Sequence, residues 1–115
     1  MKIQLLLCSL LVFSLHNVFA ATEPTVKVFK SAGALQCEPQ SGRLPDVMRK
    51  ELEKAGISVK AVACGHDGKM YTAMCGSPNG AINIFEIPIR KVSQAVMLGF
   101  AKLDSIAGLK ETPCQ

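Results

Sequence analysis

The chain has 115 residues, a formal net charge of +4 and 5% aromatic residues. A charge this mild, with its basic pairs Arg49-Lys50 and Arg90-Lys91 on expected solvated helix faces, excludes a dense nucleic-acid-binding surface. Tyr71, Phe29, Phe85 and Phe100 are too few for a base-stacking platform.

Lys2 is the only charge before Glu23. Ile3 to Leu15 is apolar except for Gln4, Ser9 and Ser14; His16-Asn17 break the run and Val18-Phe19-Ala20 follows. This is the charged, apolar and small-residue order of a secretory signal peptide. Val18 and Ala20 fit the two small-residue positions before a cut, which places cleavage before Ala21 and makes residues 1–20 the signal. A membrane-spanning helix needs about 20 apolar residues, and this run has thirteen positions. Cys8 lies inside the run behind Leu7, unlike a lipoprotein cysteine.

Cleavage would leave 95 residues and a charge of +3, one lysine fewer than the whole chain. It would also leave Cys37, Cys64, Cys75, Cys114 and a single histidine, His66. An even cysteine count in a small exported domain predicts two disulfides and a periplasmic or extracellular address. No span remains after the signal is removed, and no Asn-x-Ser/Thr sequon is present.

Residues 21–104 read as one domain. Val26 to Lys30 alternates as a strand. Residues 31–43 form a loop that carries Cys37. A helix is predicted over Pro45–Ala55, with Pro45 in its first turn and Gly56-Ile57 as its stop. Ser58 to Cys64 reads as a second strand. Asp67-Gly68 predicts a turn, and Met70 to Cys75 the returning arm of a hairpin. Ser77-Pro78-Asn79-Gly80 predicts another turn. Ile82 to Ile87 is the most strand-like run of the chain. Pro88 is expected to open a second helix, closed by Gly99-Phe100, with Phe100 to Leu103 as a last strand. Residues 105–115 read as a tail held only through Cys114.

Thr25–Lys30 resembles Ala81–Glu86, and each leads to a Pro-initiated helix closed by Gly and a large apolar residue. A strand–helix unit written twice predicts an α+β protein, a small two-layer sandwich with two helices on one face of the sheet. A ferredoxin-like (split βαβ) arrangement is favoured, and a thioredoxin-like core is the rival. The predicted hairpin favours the disulfides Cys64–Cys75 and Cys37–Cys114. The competing set is Cys37–Cys64 with Cys75–Cys114.

His66, Asp67, Lys69 and Tyr71 crowd the predicted turn and are the candidate binding residues. Cys64, His66, Asp67 and Cys75 have no spacing that matches a zinc site, so no metal or other cofactor is expected. A thiol-dependent or redox enzyme would use Cys37 as nucleophile with His66 as its base. The order strand, Cys37, helix resembles a glutaredoxin-type opening, but Glu38-Pro39-Gln40 follows without a second cysteine. The sequence therefore leads to an expected non-enzymatic binding module for a protein or envelope partner, one version being an inhibitor. The thiol enzyme is the alternative.

Overall fold

A computed structural model describes residues 22–38 and 40–114. The expected signal peptide, with Cys8, lies outside them. The described elements are β1 (Thr25–Ser31), α1 (Pro45–Lys54), β2 (Ala61–His66), β3 (Ala81–Pro88), α2 (Val92–Met97), β4 (Ala101–Lys102) and β5 (Lys110–Thr112). One 3-10 turn, Ile89–Lys91, precedes α2, and another, Leu103–Ser105, follows β4.

The strands form one sheet in the order β4-β1-β3-β2-β5, and every ladder is antiparallel. This is an α+β protein. β3 is inserted between β1 and β2, and the absence of a parallel ladder among the described strands argues against a thioredoxin-like core, which needs one. β3 is the central strand, and Ile82 to Phe85 are buried on both of its faces.

The register sets Val26 opposite Ile87 and Val28 opposite Phe85, so these four share a face. Met48 and Leu52 of α1, Ala95 of α2, Ile57 and Phe100 pack on that face and complete the core. Phe85 and Phe100 meet edge to face at 5.8 Å. Full burial of each large apolar side chain contributes about 1.5–3 kcal/mol.

Both helices end as their sequences predict, and by the same device. Gly56 and Gly99 take positive φ of 81° and 93°, a region open to glycine at little cost. Gly56 N–H donates to Glu53 O at 2.9 Å and Ile57 N–H to Leu52 O at 3.0 Å. Gly99 N–H donates to Val96 O at 3.0 Å and Phe100 N–H to Ala95 O at 3.1 Å. The apolar residue after each glycine thereby folds back into the core.

Four local expectations change. The second strand begins at Ala61 rather than Ser58, because Ile57 first turns back to close α1 and becomes fully buried. Pro88 ends β3 with an extended backbone, and the helix after it starts through the 3-10 turn. The predicted hairpin is not formed: no strand occupies residues 67–80, since β3 takes the inner edge of β2 and β5 the outer edge at Cys64–His66. Residues 105–114 are not a tail pinned by one cysteine, because β5 is part of the sheet. β4 and β5 lie on opposite edges, so residues 103–109 run from one edge of the sheet to the other. The helices leave the second face of the sheet open. Ile82 and Ile84 point to that face and are nevertheless buried. No helix among the described residues is long and apolar enough to cross a membrane.

Candidate functional site

The loops at the far end of the sheet continue the β1–β3 pairing beyond the strands. Ser31 stands opposite Ile82, and the same register carries on to Leu35 opposite Pro78. Ala32 N–H donates to Ala81 O at 2.9 Å, Asn79 N–H to Ala34 O at 3.1 Å, and Gln36 N–H to Ser77 O at 2.8 Å. One step further, Gly76 N–H donates to Gln36 O at 3.3 Å, which brings the neighbouring residues Cys37 and Cys75 face to face.

That register decides the disulfides. Cys37 is bonded to Cys75, with Cα atoms 5.2 Å apart, and Cys64 to Cys114, with Cα atoms 5.0 Å apart. The expected pairs Cys64–Cys75 and Cys37–Cys114 are both wrong, and so is the competing set. The expectation required a hairpin between residues 64 and 75. Cys75 instead belongs to the segment that enters β3, whose neighbour is the segment leaving β1. Cys114 follows β5, in which Thr112 pairs with Cys64, and so reaches that cysteine. Cys37 is also the one non-glycine residue with positive φ among the described residues, at 68°. With both sulfurs in the bond, Cys37 offers no thiolate for His66 to activate.

The four predicted binding residues gather at the exit of β2, and most of their polar atoms are already engaged. Asp67 is buried. Its Oδ2 accepts the Tyr71 hydroxyl at 2.5 Å and its Oδ1 accepts the Lys69 backbone N–H at 2.9 Å. Burial alone would push the Asp67 carboxyl up. The Tyr71 hydroxyl, the Lys69 N–H and the nearby His66 and Lys69 side chains outweigh it and hold the carboxyl below its ordinary range. The same bond, with burial and the negative charge of Asp67, pushes the Tyr71 hydroxyl up.

His66 Nδ1 accepts the Gly68 N–H at 3.0 Å, so the proton of the neutral ring sits on Nε2. The His66 and Tyr71 rings meet edge to face at 6.2 Å. They close over Gly80, where an added Cβ would lie 2.5 Å from His66 Nε2 and 2.7 Å from Tyr71 Cε2. Lys69 contributes its backbone, and the residue is exposed. His66, Asp67 and Tyr71 are thus brought together as a polar knot that fixes the start of the 67–80 loop. Within the knot Met70 is fully exposed, and beyond it Met74 is 69% exposed. The sequence reading missed both methionines; their signal was two large apolar side chains in a segment with no strand partner.

A cleft of about 300 Å³ opens beside this region, between residues 32–45, the ends of β2 and β3, and Thr112-Pro113. Arg43 and Pro45 at the entrance to α1, Cys64 and Asn83 line it. Arg43 is held by Glu51 at 2.7 Å, and Lys30 reaches the same carboxylate at 3.3 Å. Lys30 also donates to Leu98 O at 2.9 Å and sits 5.1 Å from the centre of the Phe100 ring, tying β1 to both helices. The Arg43 hydrogen bond, with help from Lys30 and against burial, holds the Glu51 carboxyl below its ordinary range.

Among the described residues no group of three or more His, Cys, Asp and Glu side chains is gathered as a metal site. Comparison with known proteins finds no matching family model, no similar curated protein and no similar solved structure.

Proposed function

We propose that this chain is an exported, non-enzymatic binding module on a ferredoxin-like scaffold, and that it presents residues 67–80 to a protein or envelope partner. One observation carries the reading. The connection between β2 and β3 is fourteen residues long and has no strand or helix, yet it is pinned at its start and again at Cys75. Connections longer than about 12–15 residues without secondary structure are uncommon in compact domains and are usually functional or disordered. The Asp67–Tyr71 knot and the Cys37–Cys75 bond make this one a held loop, which lowers the entropy lost on binding. Met70, within the first pin, and Met74, beside the second, are adaptable apolar side chains facing solvent. Two disulfides suit an oxidising compartment, as the signal-like N-terminus does. An inhibitor of a secreted hydrolase is one form such a module takes.

The test is a photo-activatable side chain placed at position 70 and irradiated in the exported compartment. The expected result is a discrete cross-linked protein that is lost in Met74→Asp while the melting temperature holds. The same yield from a probe at Lys50, on exposed α1 surface, overturns the reading. Alkylation of Cys37 in native protein isolated without reductant would transfer the assignment to the thiol-dependent alternative.

A further inference from the structure

We infer that the cleft beside Asn83 is a binding site for a small uncharged molecule that carries an N–H or O–H donor. The site meets the 67–80 loop at Asn79 but does not depend on the reading above. Asn83 lies on β3, opposite Cys64 of β2, and is only 3% exposed. Its Nδ2 donates to Arg43 O at 2.9 Å and faces Met48 Sδ at 3.4 Å. Those contacts fix which end of the amide is nitrogen, because the flipped amide would set two carbonyl oxygens against each other. Oδ1 therefore stands on the side of Cys64, with Cys64 Sγ at 3.7 Å.

A thiol there could donate a hydrogen bond. Cys64 Sγ cannot, because it is bonded to Cys114 and carries no hydrogen. Among the described residues no donor remains for Oδ1, although buried amide oxygens are nearly always paired. Asn83 and Cys64 both line the cleft, so the unpaired acceptor belongs to a space that a ligand can enter.

The rest of the wall defines the ligand. Ala32, Ala34 and Pro45 make part of it apolar, and Gln40, Ser41, Asn79 and Thr112 add polar side chains. Arg43, the charged residue of the lining, has its guanidinium held on Glu51 of α1, so the acceptor standing without a donor in the cleft is the neutral amide of Asn83. A volume of about 300 Å³ is at the small end of ligand pockets and suits a small molecule. The shared chemistry is a neutral donor group, either a carboxamide or an alcohol.

NMR titration of the protein with both disulfides intact tests this, following the Asn83 side-chain amide and the Cys64 and Thr112 backbone amides. Acetamide and isopropanol are the donor probes; N,N-dimethylacetamide and acetone are their partners without a donor. The expected result is saturable shifts at these three positions with binding about ten-fold tighter for at least one donor probe than for its partner. Which donor probe binds separates a carboxamide from an alcohol ligand. Thr112→Leu narrows the cleft from exposed β5 without touching the Asn83–Arg43 bond, and is expected to abolish the shifts. Equal affinity for donor and donor-free probes, shifts that survive Thr112→Leu, or no saturable shift, as when a bound water is never displaced, overturns the proposal.

Discussion

On the helix side of the sheet, Val28, Met48, Leu52, Ile57, Phe85, Ile87 and Ala95 are completely buried. At the loop end, Ala32 and Ala34 are the buried apolar residues among those described in the 32–44 segment, and residues 67–80 contribute none. There the backbone pairing of residues 32–36 with 77–81, the Asp67–Tyr71 knot and the Cys37–Cys75 bond take the place of a core. The difference teaches how one small domain divides its labour. Burial is non-directional and makes one half cooperative. Covalent and polar links hold a solvated surface in one shape without covering it, and that is the surface proposed above to meet a partner.

The sharpest way to break the contrast is to remove core volume. Phe85 is fully buried at the centre of β3 and against Phe100. Phe85→Ala is expected to destabilise the fold by about 3–5 kcal/mol, through lost burial and the cavity left behind. Urea unfolding measures it. Both halves should lose protection together, because the loops hang from the ends of β1, β2 and β3. A loss of less than about 1 kcal/mol would mean that the helix side is not the stabilising half.

Removing a staple should act differently. The two disulfides span 38 and 50 residues, so loop closure alone makes them similar, at about 2–4 kcal/mol each. Their positions separate them. In Cys37→Ser/Cys75→Ser, amide exchange should quicken across residues 32–44 and 67–80 while Val28, Leu52 and Phe85 stay protected. In Cys64→Ser/Cys114→Ser, it should quicken across β5 and residues 103–109. Uniform loss of protection in the first variant would show that the loop end is not a separate layer of stability.

The contrast also explains what could be read from the chain. β1, β3, the start of α1 and both helix stops were legible because their signals are local: alternation, Pro45, Gly56-Ile57 and Gly99-Phe100. The likeness between Thr25–Lys30 and Ala81–Glu86 pointed to a strand–helix unit written twice, and the two strands pair with each other. The disulfide partners were not legible, because they depend on the β1–β3 register carried beyond the strands. The same likeness held a usable clue: once the two segments are set antiparallel, Cys37 falls beside Cys75. β5 gave no signal, since Lys110-Glu111-Thr112 has no apolar face and is a strand only because β2 offers an open edge. Of the candidate site, His66, Asp67 and Tyr71 were found as a group. Their bonding to one another was not legible, because composition does not show that the Asp67 carboxylate is already bonded to Tyr71 and Lys69.

The smallest expected effect concerns that knot, and pH isolates it. Tyr71→Phe removes one hydrogen bond to a buried carboxylate and is expected to cost about 1–2 kcal/mol near neutral pH, with half-exposure of Tyr71 keeping it toward the low end. Asp67 has its carboxyl held below the ordinary 3.8, so its contribution is complete above 3.8 and fades as pH falls through the lower folded value. Tyr71 has its hydroxyl raised above the ordinary 10.0, so its contribution is complete below 10.0 and fades as pH rises through the higher folded value. The stability difference between the native chain and Tyr71→Phe should therefore be flat between these limits and shrink at both ends. Taking the difference cancels the acid dependence of Glu51, which the substitution leaves in place. Denaturant unfolding of the two proteins across the acid and neutral range supplies the measurement. A difference that stays constant down through acid would show that the Asp67 carboxylate is not what the Tyr71 hydroxyl holds.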